Sequence, residues 1–248
     1  MELIKEANRP LELEGTHNTR ELGGYINKDF KRLKEHKLLR SDILSNLTTN
    51  DMERLYDYGI RTVIDLRRSQ EVSVEPSKLQ GYKDIKYYNI SLSLNDNRGI
   101  MQHRNEKGLF DLYQGYLTGR QEQIKEILEI VSDHLSDGII FNCTAGKDRT
   151  GIISMLLLKI CNVDDETIKI DYEASERNVI DSLIKRKNEN IHLQNEPDFL
   201  FRSPRSEMEK TLDFIEAHYG TFNEYMSEIK VPTNLLDNIR NSVLEVKE

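Results

Sequence analysis

The segment from Ile139 to Cys161 constrains this chain more than any other. A short apolar run, an eight-residue polar loop and a nearly all-apolar stretch follow one another without a break. Ile139–Ile140–Phe141 reads as a short buried strand, and Gly151–Cys161 as a helix apolar on every side. A helix with almost no polar residues has to be covered, so this strand and helix belong to the buried part of the fold. The loop between them, Cys143–Thr144–Ala145–Gly146–Lys147–Asp148–Arg149–Thr150, then sits at a helix N-terminus. There the N–H groups lack internal partners and the helix dipole favours negative charge.

The rest of the pattern fits around that centre. The first forty residues read as short extended pieces joined by turns, with Gly15 and Gly23–Gly24 as punctuation. Thr48 and Asp51 form a capping-box-like start, Leu55 and Tyr58 continue an apolar face, and Gly59 is placed to end that helix. Residues 61–66 read as a buried strand and 85–90 as a weaker one. Residues 91–108, polar and rich in turn formers, read as a loop over a site. Helices are expected around 109–117 and 121–135; in the second, Ile124, Ile127, Leu128, Val131 and Leu135 share one face. Beyond 164 the chain reads as mostly helical. Strands alternating with helices, then a helical tail, predict an α/β fold with a central sheet flanked by helices. With no repeat and no low-complexity linker, one domain over residues 1–248 is expected.

Composition narrows the function. A formal charge of −8 argues against broad nucleic-acid binding but leaves room for a small positive pocket. No apolar run approaches the ~18 residues of a membrane span, and the first residues lack an apolar signal segment. Two cysteines make no disulfide framework, and a helix over 150–161 would hold their sulfurs more than ~10 Å apart. A cytoplasmic, reducing location is therefore expected. The six histidines form no HxxxH or HExxH pattern, and neither a metal nor another cofactor is expected. The sequence leaves the oligomeric state open.

The loop itself carries chemistry. Gly146 lets backbone approach an anion closely, and Arg149 offers a planar fork for two phosphate oxygens. Cys143, at the strand end, would place its sulfur in the same ring of donors, whose field favours the thiolate. Thiolate formation adds at most tens-fold, because an ordinary thiol is already a few per cent ionised at neutral pH. Phosphate monoesters need accelerations of up to ~10²¹. Most of the rate must therefore come from holding the phosphoryl group in line and stabilising its equatorial oxygens. A nucleotide-binding loop is excluded on two counts: Phe141 stands where the first glycine belongs, and Asp148 follows Lys147 in place of Ser or Thr. A sulfurtransferase shares the loop cysteine, but the Cys143–Arg149 spacing favours phosphate.

That spacing, followed by Thr150, resembles the signature of the protein tyrosine phosphatase superfamily. More narrowly, CTAGKDRTG resembles the loop of bacterial tyrosine and phosphoinositide phosphatases. Asn18–Gly24, Leu39–Arg40–Ser41, Thr62–Arg67 and Tyr219–Gly220 match as well, so the resemblance spans nearly the whole chain. It implies a tyrosine-phosphatase-like, mostly parallel central sheet. It also implies a phosphatase acting on phosphotyrosine, with phosphoserine/threonine and phosphoinositides as further substrates. Carried over residue by residue, Cys143 resembles the nucleophile, Arg149 the phosphate clamp and Thr150 the hydroxyl that steadies the departing thiolate. Asp148 resembles the acid of this subgroup, with Asp111 and Asp96 as alternatives. Lys147 resembles the second positive charge associated with phosphoinositides, and Thr144, Ala145 and Gly146 complete the cradle. Asp65, Arg67, Asn18 and Arg20 are read as supports. Cys161 reads as an ordinary core residue, and Lys185–Arg186–Lys187 as a solvated helix face. The competing reading is a phosphatase-fold module that binds phosphoproteins or phospholipids without turnover.

One position departs from the family pattern: Asn142 precedes the nucleophile where histidine is usual. Asparagine hydrogen-bonds but carries no charge, so the Cys143 thiol is expected to ionise less readily than in relatives with histidine. The pH profile of inactivation by iodoacetate checks this. Reaction already at its plateau by about pH 5 would overturn it.

Overall fold

The computed structural model describes residues 10–94, 108–189, 194 and 197–245. Five strands form one sheet: β1 (Arg20–Glu21), β2 (Leu38–Ser41), β3 (Ile60–Asp65), β4 (Lys86–Asn89) and β5 (Gly138–Asn142). Their order is β1-β2-β5-β3-β4, parallel throughout except for the antiparallel β1–β2 pair. This is the mostly parallel α/β sheet that the sequence predicted. β5 lies in the middle and is buried along its whole length, as expected of a strand with no polar face.

Register shows how the sheet divides the core. Ile140 pairs with Leu39 and Val63, and these three pack with Leu55 on one side. Ile139 and Phe141 turn to the other side, into a larger cluster with Ile64, Ile127, Ile153 and Leu156. Successive side chains of a strand point to opposite faces, so this alternation gives β5 two covered faces. The first face is covered by α1 (Thr49–Asp57), followed in sequence after β3 by the short α2 (Ser69–Val74). The larger cluster is built with α3 (Phe110–Gly119), α4 (Gln121–His134) and α5 (Asp148–Ile160). The C-terminal part is helical as expected: α6 (Asp165–Glu189), a 3-10 turn (Asp198–Phe201), α7 (Arg205–Tyr219), α8 (Phe222–Glu228) and α9 (Thr233–Val243). No helix among the described residues is long and apolar enough to cross a membrane.

The boundary beside the loop differs from the sequence reading. α5 begins at Asp148, three residues before the apolar stretch, so Asp148, Arg149 and Thr150 form its first turn. Apolar patterning could not reveal a turn whose residues are polar because they face an anion site. Of the expected loop over 91–108, residues 95–107, including Asp96, lie outside the described residues.

The strand order sets the site. Three parallel strands, β2, β5 and β3, end side by side, and the loop after β5 leaves the sheet between its two neighbours. Ligands of open α/β sheets bind at such carboxyl ends. The N-terminal segment is held there by Asp51. Its carboxylate caps α1 with Thr48 and also accepts from the backbone N–H groups of Glu14 and Gly15, each at 2.9 Å. This anchors the stretch that runs on to Asn18. Asp51→Ala is expected to destabilise the protein by about 2–3 kcal/mol, the range for losing hydrogen bonds to a charged acceptor. The urea midpoint should fall with an unchanged m-value.

Candidate active site

Four successive carbonyls of the loop are tied to the scaffold. Thr144 O accepts from Ile43 N at 3.1 Å and Ala145 O from Asn18 Nδ2 at 3.0 Å. Gly146 O accepts from Asn18 Nδ2 at 3.0 Å and Arg40 Nη2 at 2.8 Å; Lys147 O accepts from Gly151 N at 2.9 Å. In a planar trans peptide the N–H points opposite to the C=O. The N–H groups of Ala145, Gly146, Lys147 and Asp148 are therefore turned away from these partners, and none donates to a protein group among the described residues. This is a nest of free donors at the N-terminus of a buried helix.

Gly146 is required by this arrangement. It has φ +65°, and a Cβ would lie 2.6 Å from Asp42 N and from Ser41 C and O. No side chain fits between the loop and the end of β2.

Beneath the loop lies a buried ionic cluster. Arg20 and Arg40 are fully buried, and both pair with the single carboxylate Asp171 of α6. Ser175 accepts from both guanidinium groups, and Arg20 also holds the side chain of Asn18. Two cations against one anion leave a net positive charge below a loop of free N–H groups. The strain shows on Arg20: burial, with the like charge of Arg40, pushes its pKa down to about 10, against the pull of Asp171. It remains charged at neutral pH.

Arg149 is positioned by residues remote in sequence. Its Nη1 and Nη2 each donate to one oxygen of Glu71 at 3.0 Å, a bidentate pair. Nη1 also reaches Ser93 Oγ at 2.9 Å and Nη2 reaches Thr144 Oγ1 at 3.1 Å. Only the Nε–H has no partner among the described residues. Burial alone would lower the Arg149 pKa, but the negative charges of Cys143 and Glu71 outweigh it and hold the pKa above the usual arginine range. Glu71 accepts in addition from Arg68 N and Thr144 Oγ1, each at 3.0 Å. Burial would raise its pKa, but these donors and the Arg149 charge bring it down to about 2.

The other expected residues fall as follows. Cys143 is buried at the end of β5, and Cys161 is free and buried, its thiol pushed up to about 12 by burial. Thr150 Oγ1 and Asn142 Oδ1 are buried with no hydrogen-bond partner among the described residues, while Asn142 Nδ2 donates to Cys143 O at 3.3 Å. Lys147 is buried, and its Nζ donates to Asp148 Oδ1 at 2.6 Å. Asp148 also accepts from Tyr113 Oη. Asp65 and Arg67 form a buried ion pair at the end of β3, to which Tyr87 adds a hydrogen bond at 2.8 Å. Asp111 lies half-buried on α3, with no hydrogen bond or ion pair to the loop among the described residues. Lys185 pairs with Glu189, and Lys187 with Asp198. Among the described residues no cluster of His, Cys, Asp and Glu is arranged to hold a metal ion. Sequence reasoning missed Glu71, Ser93, Asp171, Ser175 and Tyr113. Glu71 stands 78 positions from Arg149, and nothing local to it announces a partner.

A cysteine and an arginine flanking a nest of backbone donors, on a mostly parallel sheet, define a cysteine-centred oxyanion site. The model of the tyrosine phosphatase family matches residues 11–245, and the chain belongs to that family. It is 31% identical over 139 residues to a tyrosine-protein phosphatase of Nostoc commune, covering 55% of this chain and 47% of the relative. The chain thus spans just under half the length of that protein. It is also 25% identical over 192 residues to a Cupriavidus necator protein provisionally named as a tyrosine-protein phosphatase, covering 71% of this chain and 70% of the other.

The Glu71–Arg149 pair should leave a mark on stability. Glu71 has a depressed folded-state pKa of about 2, against ~4.3 unfolded. Its contribution is therefore complete above pH ~4.3 and is lost as pH falls towards 2. Glu71→Gln is expected to flatten the fall in thermal stability across that window while leaving its shape above pH 5 unchanged. Melting curves from about pH 2 to 7 check this.

Proposed function

We propose that the chain hydrolyses phosphotyrosine through a phosphocysteine intermediate. The observation that carries this reading is the row of carbonyls pinned outward at Thr144–Lys147, which frees the opposing N–H groups for a phosphoryl group next to Cys143. The Cys143 thiolate attacks phosphorus. An S–P bond forms and the P–O bond breaks, and its electron pair goes to the leaving oxygen, which takes a proton from Asp148. Water then attacks phosphorus and gives a proton to Asp148, while the S–P electron pair returns to Cys143, steadied by the Thr150 hydroxyl. Throughout, backbone donors of the loop and Arg149 hold the equatorial oxygens, and their fixed orientation avoids reorganisation at the moment of reaction. A two-point grip by Arg149 takes its free Nε–H and the Nη2 N–H released from Thr144. Glu71 keeps the guanidinium in plane during that exchange.

The geometry supports a substrate with one phosphate. Lys147, read from the sequence as a contact for a second phosphate, is buried against Asp148, and a phosphoinositide would have to draw it away. Lys147→Ala is thus expected to slow hydrolysis of phosphotyrosine peptides and phosphoinositides alike. A selective loss with phosphoinositides would restore the sequence reading, and a substrate panel including phosphoserine/threonine peptides decides it.

Cys143→Ser is expected to abolish turnover of p-nitrophenyl phosphate, and the parent should show a burst of one nitrophenol per protein. Retained phosphopeptide binding with no turnover in the parent would establish the binding module in place of the enzyme.

A further inference from the structure

Asp148 is held by one oxygen only. Its Oδ1 accepts from Tyr113 Oη at 2.5 Å and from Lys147 Nζ at 2.6 Å, while Oδ2 has no hydrogen-bond partner among the described residues. The side chain is 24% exposed, so one edge reaches solvent. Tyr113, on α3, is fully buried, and its hydroxyl lies 2.6 Å from that of Tyr172 on α6. A phenol has one proton. With the Tyr113 proton given to Asp148, the Tyr113 oxygen accepts from Tyr172, so the chain runs from Tyr172 to Tyr113 to Asp148. Burial, reinforced by the Asp148 charge, raises both phenols well above their usual range, and both stay protonated donors. Lys147 of the loop also pairs with this carboxylate, and Tyr116 of α3 feels its charge.

We propose that Tyr113, oriented by Tyr172, is a positioning residue for proton transfer: it anchors Asp148 Oδ1 and leaves Oδ2 as the oxygen that gives and takes the proton. The proposal rests on Asp148 being the acid. During P–O cleavage the electron pair of the breaking bond goes to the leaving oxygen, which takes the proton from Oδ2, and Asp148 passes from neutral acid to carboxylate. A hydrogen bond from a phenol to a carboxylate is roughly twice as strong as one to a neutral group. The Tyr113 contact therefore strengthens as charge develops, which stabilises the transition state more than the bound substrate. Because the hydroxyl is already aimed and buried, it needs no reorganisation. When water attacks the phosphocysteine, Oδ2 takes a proton from it and the contact relaxes to its starting strength.

Tyr113→Phe keeps the ring and its packing and removes the donor. The test compares phenyl phosphate, whose leaving phenol has a pKa near the ~10 of tyrosine, with p-nitrophenyl phosphate, whose leaving group needs little protonation. kcat/KM, which reports the first chemical step, is expected to fall about tenfold with phenyl phosphate and less than about twofold with p-nitrophenyl phosphate. Inhibition by inorganic phosphate should be unchanged. Tyr172→Phe, which leaves Tyr113 in place without its orienting partner, is expected to act in the same direction with a smaller loss. Asp148→Asn, run in parallel, separates the two layers. If its losses depend on the leaving group but those of both tyrosine variants do not, the Tyr113 assignment is overturned and the acid stands. If Asp148→Asn loses equally on both substrates, the acid reading falls and the Tyr113 role falls with it.

Discussion

The peptide of Gly146 is the contact on which this site depends. Its carbonyl is drawn onto Asn18 and Arg40, and its α-carbon lies against the backbone of Ser41 and Asp42, too close for any side chain. Both contacts bind the loop after β5 to the end of β2, so the row of free N–H groups is imposed from outside. A loop left to itself would satisfy those donors with its own carbonyls or with water. Here the carbonyls are taken, and the donors find no protein partner among the described residues. This is preorganisation in the strict sense: the cost of orienting the dipoles falls on folding.

The same contacts bring charge. Arg40 reaches Gly146 O only because it is buried beside Arg20, and one Asp171 serves both. Breaking a buried ion pair by removing one partner costs about 3–5 kcal/mol, so such a cluster is retained only where its members hold one another. Here the surplus cation lies under the phosphate cradle. A chain of net charge −8 thus keeps a local positive charge beneath the free N–H groups of the loop. Two further ion pairs lie at the loop, Lys147 with Asp148 and Arg149 with Glu71. Each leaves one atom with no hydrogen-bond partner among the described residues, Oδ2 of Asp148 and Nε of Arg149.

Much of this was legible in the sequence because it is local. Ile139–Phe141, the polar loop and the apolar helix follow one another without interruption, so the strand–loop–helix unit and its burial could be read directly. Thr48 and Asp51, three positions apart, announced the start of α1. Local patterning stopped where the signal changed kind. The first turn of α5 was read as loop because Asp148, Arg149 and Thr150 are polar for functional reasons. Asn18 and Arg20 were read as supports, but that Asn18, itself held by Arg20, reaches Ala145 and Gly146 more than 120 positions away was not visible.

The sequence by itself thus determined the class of fold and the strand–loop–helix unit that carries the candidate site, since these follow from periodicity and from groups adjacent in the chain. Tertiary structure alone decided which charge answers which. Glu71 meets Arg149, Asp171 meets Arg20 and Arg40, and Tyr113 meets Asp148 only because β2, β3 and β5 end side by side while α3 and α6 close over them. The physical reason is range. Hydrogen bonds and ion pairs act over a few ångströms of space, and sequence separation says nothing of that distance once the chain has crossed the sheet. Lys147 shows the consequence: as a letter two places before Arg149 it read as a second positive charge for phosphate, and only the fold shows it paired with Asp148.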